Sequence, residues 1–256
     1  MPGNEAEPAA ILPAVQAWRA LAPEQQAAQR LRHIRAKVAR SMAFEGEPVP
    51  EGWVEARQPH RSAPPNAPKF QPGMQSHADL APWLADKIAH VETANAGGGY
   101  ADTPLDEYLI LELHRDIAAE LLPNIGGRWR QIDVQVGGHE APPHHRVPEL
   151  MRVYALDLKA RLAGIAEHGT ERLLETLAFA EGRLLCIHPF ADLNGRTTRV
   201  FLSELLRRLR LPVIDSTPDE GAATTAYLQA LRSADRADWQ PLIVLWRQRF
   251  ENEGRT

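Results

Sequence analysis

Eight of the 21 prolines fall between positions 48 and 82: Pro48, Pro50, Pro59, Pro64, Pro65, Pro68, Pro72 and Pro82. Proline fixes φ and removes a backbone donor, so neither a helix nor a central strand survives at that density. Residues 47–80 are therefore expected to run as an extended connection over the surface, between an N-terminal helical segment (1–46) and a main body (81–256). A length of 256 residues suits one large domain with an appendage, and 44% hydrophobic residues are enough for a substantial core.

Before the connection, Pro23 opens a helix at a favourable first-turn position. Leu31, Ile34, Val38 and Met42 then recur at spacings of three and four, an apolar stripe that Gly46 and Pro48 end. After it, Tyr108, Leu109, Leu111, Leu113, Ile117 and Leu121 repeat as in a helix that stops near Pro123. From Trp129, residues Ile132, Val134 and Val136 alternate with polar neighbours, the period of a strand, and Gly137-Gly138 suits a tight hairpin turn. Helical patterns fill 147–167, 170–186, 195–210, 221–233 and 238–252. The expected fold is mainly α with one small β element.

A net charge of −4 argues against a protein that coats nucleic acid or binds an anionic membrane. Of the 29 basic residues only Lys37, Lys69, Lys87 and Lys159 are lysine, and the other 25 are arginine, the side chain that forks onto phosphates and carboxylates. The single cysteine, Cys186, lies in the apolar run Leu184-Leu185-Cys186-Ile187 and reads as a buried thiol. It excludes a disulfide framework and a multi-thiolate metal cluster. No stretch reaches the ~18 apolar residues of a membrane span. No basic region precedes an apolar one at the N-terminus, so a cytoplasmic setting is expected.

The chemistry is concentrated in His188-Pro189-Phe190-Ala191-Asp192-Leu193-Asn194-Gly195-Arg196-Thr197-Thr198-Arg199. His188-Pro189 stops one helix, and Asn194-Gly195 tolerates the positive φ of a tight turn. A second helix then begins with Arg196 and Arg199 on one face. A turn of free amides opening a helix is an anion site, and two arginines beside it can fork onto phosphate oxygens. Asp192 can hold a divalent cation shared with those phosphates. His188 titrates near neutrality and suits a general base. Together these residues describe a phosphate-transfer site.

The stretch resembles the signature of the Fic (Fido) domain family, H-x-F-x-[DE]-G-N-G-R-x-x-R, at every specified position except Leu193, where the family has glycine. The resemblance runs from about residue 80 to the C-terminus. It implies a Fic-type helical bundle with a small β-hairpin flap over the active site. It also implies a protein adenylyltransferase, which transfers AMP from ATP, with Mg²⁺, to a Ser, Thr or Tyr hydroxyl of a target protein. His188 would be the base, Asp192 the Mg²⁺ carboxylate and Phe190 the aromatic anchor of the loop. Asn194, Gly195 and Arg196 would hold the phosphates, and Arg199 would receive the γ-phosphate. Glycine at 195 points to AMP transfer, since a sub-branch with lysine there phosphorylates its targets. Residues 128–143 look like the flap, which aligns an extended segment of the target by strand addition. If the Leu193 position needs φ > 0, leucine costs roughly 1–2 kcal/mol relative to glycine.

A second resemblance lies in Ser41-Met42-Ala43-Phe44-Glu45-Gly46, which is similar to the inhibitory motif [ST]-x-x-x-E-[GN] of the class that carries it N-terminal to the core. It implies that Glu45 pairs with Arg199 and keeps ATP from placing its γ-phosphate. Two other functions fit the same residues: a deAMPylase in which Glu45 orients water, or a nucleotide-binding module without catalysis.

Gly138-His139-Glu140-Ala141-Pro142-Pro143-His144-His145 does not form a helical zinc motif, because a proline stands where the second histidine is needed. Arg207-Arg208-Leu209-Arg210 reads as a solvated helix end, where positive charge suits the dipole. Trp239, Trp246 and Phe250, at helical spacings, read as core or as a homo-oligomer interface, and Tyr227 as packing or a stacking partner for a base.

Overall fold

A computed structural model describes residues 11–56 and 80–253. Most of the expected extended connection, 57–79, lies outside them. Its first residues, 48–56, are mostly exposed and are anchored at one point. Trp53 is buried, its indole N–H donating to Asp86 Oδ1 at 3.1 Å. The Arg35 guanidinium stacks 3.7 Å from the Trp53 ring and Arg35 Nε donates to Trp53 O at 2.9 Å.

The N-terminal segment is three helices, α1 (Ile11–Ala20), α2 (Pro23–Arg32) and α3 (Ile34–Phe44). His33, at φ −102° and ψ −1°, separates the last two. The chain bends there, so the expected stripe is cut. Leu31 is 47% exposed, while Ile34, Val38 and Met42 join the core.

α4 (Ala81–Ala96) packs between α3 and the main body, followed by α5 (Glu107–Ala118). Asp106 caps α5, its carboxylate accepting from Tyr108 N at 2.9 Å and Leu109 N at 3.3 Å. α6 (Val147–Ala163) is followed by α7 (Ile165–Ile187), which Gly169 interrupts at φ 65° and ψ −143°, where the two expected helices part. Then come α8 (Asn194–Arg208), α9 (Ala222–Ala234) and α10 (Gln240–Glu253). The pattern of α8 is apolar on one side, yet Arg196, Thr197, Thr198, Arg199 and Glu204 are buried along with Val200, Phe201, Leu202, Leu205 and Leu206. It is enclosed by α4, α5 and α7. Such a helix must satisfy its polar groups internally. Glu204 does so with Arg207 at 2.7 Å and Arg208 at 2.5 Å, and Arg208 also donates to Tyr100 O and Thr103 O. The basic cluster expected to be solvated is thus largely turned inward, because a carboxylate buried four residues earlier needs it. Trp246 and Phe250 of α10 are wholly buried, which places them in the core.

The β element is a hairpin of β1 (Gln135–Val136) and β2 (His139–Glu140), with Gln135 opposite Glu140 and Val136 opposite His139. Gly137 (φ 50°) and Gly138 (φ 86°) form the connecting turn, where both residues need positive φ. The strand expected from Trp129 is shorter than its alternation suggests. Arg130 draws the carbonyls of Ile132 and Pro142 onto its guanidinium, and Ile132 is left 60% exposed.

Candidate active site

His188 follows the last residue of α7 and closes that helix in the left-handed region at φ 49° and ψ 61°, with Pro189 next. Leu193, at φ 63° and ψ 16°, opens α8 in the same region. Between them Asn194 staples the loop: its Oδ1 accepts from Phe190 N at 2.9 Å and its Nδ2 donates to Phe190 O at 3.0 Å. With the side chain so used, what Asn194 can offer an anion is its backbone N–H. Phe190 anchors the loop from beneath. Its ring stacks on His114, centroids 3.7 Å apart and planes 7° apart, and on Trp129 at 5.3 Å. His114 Nδ1 accepts from Gly127 N at 3.0 Å, which fixes its tautomer.

Both arginines are buried, and both meet carboxylates from the N-terminal segment. Arg199 Nε donates to Ser41 Oγ at 2.8 Å, its Nη2 is ion-paired with Glu45, and its guanidinium lies 5.4 Å from the Phe44 ring centroid. Phe44 in turn meets Tyr227 edge-on at 6.0 Å, so that tyrosine serves packing, its hydroxyl donating to Glu181 at 2.9 Å. Arg196 pairs with Glu47, a residue the sequence reading missed. Its position follows from how α3 ends. Gly46, at φ 80°, donates to Ala43 O at 3.0 Å and Glu47 N donates to Met42 O at 2.9 Å. This Schellman cap turns the chain back and presents Glu47 to α8. The spacing Glu-Gly-Glu holds that signal, but only once Gly46 is read as a left-handed cap. Arg196 Nε is buried without a hydrogen-bond partner. At Gly195 a Cβ would overlap a carboxylate oxygen of Glu45, so the missing side chain makes room for the glutamate.

Burial pushes the His188 imidazole down to about 4, so it is neutral at pH 7 and able to accept a proton. Its Nδ1 lies 3.4 Å from Leu185 O, which leaves Nε2 as the accepting nitrogen. A second residue missed in the sequence, Arg130, fastens the hairpin to this histidine. Its Nε donates to His188 O at 2.8 Å and its own N–H to Pro189 O at 2.9 Å. Nothing in the local pattern marks that arginine, since a lone Arg in a strand-like run reads as solvent-facing.

Asp192 Oδ1 accepts from Leu193 N at 2.5 Å and lies 3.7 Å from Arg196 Nη2, with the carboxylate partly open to solvent. One accessible carboxylate beside an anion loop fits Mg²⁺, which typically takes one or two protein carboxylates and completes its shell with water and phosphate oxygens. A cavity of about 160 Å³ opens beside His188, walled by Val136, Leu185, Leu228 and Leu231. Among the described residues no helix is long and apolar enough to cross a membrane.

A helical bundle whose central loop joins a histidine to a helix carrying two arginines, with a small hairpin packed beside that histidine, is the Fic fold. It is shared with Fic-1 of C. elegans (TM-score 0.68, 18% identity, 97% of this chain and 69% of that one). It is shared also with BepC of Bartonella tribocorum, solved with bound AMPPNP (TM-score 0.52, 18% identity, 75% of this chain and 94% of that one). Residues 104–206 match the model of the Fic/DOC family. Over 135 residues, 52% of this chain and 26% of that protein, the sequence is 33% identical to protein adenylyltransferase Fic of Drosophila melanogaster. The chain thus spans about a quarter of the length of the curated relatives it matches.

Proposed function

We propose that this chain is an autoinhibited protein adenylyltransferase, held off by two carboxylates rather than one. The observation that carries the reading is that both arginines of the anion loop are already filled, Arg199 by Glu45 and Arg196 by Glu47. A triphosphate must displace these ion pairs to reach the guanidinium groups. Support for ATP as the substrate comes from the resemblance to adenylyltransferases and from the AMPPNP bound to BepC.

In the reaction, a Ser, Thr or Tyr hydroxyl of the target gives its proton to His188 Nε2 as its oxygen bonds to the α-phosphorus. The bond from that phosphorus to the bridging oxygen breaks, and pyrophosphate leaves. Arg196, Arg199 and the amides of residues 193–195 stabilise the phosphate charge. Asp192 would hold Mg²⁺, which supplies further charge neutralisation. The exposed edge at Gln135–Val136 aligns an extended segment of the target by strand addition.

The test is transfer from labelled ATP with Mg²⁺. Wild type should label weakly, Glu45→Gly at least tenfold more, and Glu45→Gly/Glu47→Gln more again, with His188→Ala abolishing the signal in each background. Equal labelling by the single and double variants would leave Glu47 a purely structural anchor. Release of AMP from a modified protein by wild type but not by Glu45→Gly would reassign the chain to deAMPylation. ATP binding without transfer in any form would leave a non-catalytic module.

A further inference from the structure

At the inner corner of the hairpin three unlike ligand groups converge from three separate elements. His139 belongs to β2, Cys186 to the last turn of α7, and Asp235 follows the end of α9. Each offers one ligand atom, and these atoms lie within 4.8 Å of one another. The sequence brings His139 near His144 and His145, yet His144 turns to Asp133 at 2.9 Å. The neighbours His139 acquires in space are ones the sequence holds 47 and 96 positions away.

The hydrogen bonds around the cluster favour ligation. His139 Nε2 lies 3.0 Å from the carbonyl oxygen of Cys186. A carbonyl only accepts, so Nε2 carries the proton and Nδ1 is the nitrogen turned to Asp235, 2.9 Å from its Oδ2. A backbone carbonyl holding the far N–H is how a metal-binding histidine has its tautomer and orientation set. Arg183 stands 3.8 Å from Cys186 Sγ as a donor, which favours the thiolate a metal needs. Burial pushes the thiol up, against the effect of Arg183. All three residues line the 160 Å³ cavity that His188 also lines, which gives an ion a way in.

We propose that His139, Cys186 and Asp235 form a divalent-metal site of zinc type, which clips the hairpin to α7 and α9 and leaves its fourth position open to the cavity beside His188. One thiolate, one imidazole and one carboxylate suit a borderline-soft ion such as Zn²⁺, whereas Mg²⁺ demands oxygen ligands. The site is separate from Asp192 and does not depend on the activity proposed above.

Cobalt is the probe, because thiolate bonded to Co²⁺ absorbs in the near ultraviolet and tetrahedral Co²⁺ absorbs strongly in the visible. Titration of the full chain should give both bands at one equivalent, and Zn²⁺ should abolish them. Cys186→Ser should remove the near-ultraviolet band, and Asp235→Asn should weaken binding at least tenfold, with circular dichroism confirming that both variants fold. As Cys186 is the only cysteine in the sequence, its alkylation provides a second readout, which Zn²⁺ should slow at least tenfold. No thiolate band, or the same band in Cys186→Ser, overturns the proposal and leaves His139–Asp235 an ion pair beside an inert thiol. Unchanged alkylation with Zn²⁺ overturns it equally.

Discussion

Leu193 shows how two opposed effects settle one position. The signature places glycine there, and the observed φ of 63° explains why. A leucine in that conformation costs roughly 1–2 kcal/mol. The same side chain is only 2% exposed within the core, and removing a buried leucine costs about 2–5 kcal/mol. Burial wins. Leu193→Gly, which restores the family pattern, is therefore expected to destabilise the protein by about 1–3 kcal/mol in urea unfolding. A gain in stability would show that strain dominates instead. The arginines carry a related lesson. The sequence placed Arg196 and Arg199 on one helical face, and its spacing of Ser41 and Glu45 put that pair on one face as well. The Glu47 contact was out of reach of periodicity, because it depends on the reversal of the chain at Gly46.

At the level of elements, the hairpin is held less by its own ladder than by Arg130. Its two-residue strands pair only Gln135–Glu140 and Val136–His139, while the buried guanidinium bonds Ile132 O, Pro142 O and His188 O. Loss of that group leaves carbonyls buried without donors, a cost of about 1–3 kcal/mol for each one not reached by water. Arg130→Gln should accordingly speed amide exchange across 130–142 at least tenfold while amides of α8 keep their protection. Uniform protection in the variant would show that the ladder and the loop suffice. Alternation located this element and its glycine turn but overstated its length, since period two reports which way side chains point and not whether carbonyls find strand partners. The helices were read more faithfully from α5 onward, where apolar spacing and burial coincide. The break at His33 carries neither proline nor glycine, and it was invisible.

For the molecule as a whole, two buried histidines link acid to unfolding. His114 and His188 both sit at about 4, against 6.5 for a free imidazole, chiefly through burial. The unfolded chain takes up these protons more readily, so their contribution is fully present above pH ~6.5 and is lost as the pH falls through ~4. Together they should lower stability by on the order of a few kcal/mol over that interval. The urea midpoint is expected to drop steadily from pH 7 to 4.5, and less so in His114→Gln. A flat midpoint would mean that neither ring is kept neutral by the fold. The general architecture, mainly helical with a histidine loop at its centre, was legible from apolar spacing and twelve consecutive residues. The sequence did not disclose that the N-terminal helices share one core with the rest, because the proline run between them reads as a separator and says nothing of what docks on either side.

The absent side chain at Gly195 also limits what this position can become. The Glu45 carboxylate occupies the place where any side chain at 195 would begin. An alanine there would push aside the end of the flexible Glu45 side chain and so loosen its ion pair with Arg199. The converse does not hold, since Glu45 can be lost while the glycine stays. The size of residue 195 and the Glu45–Arg199 ion pair are thus coupled through one carboxylate.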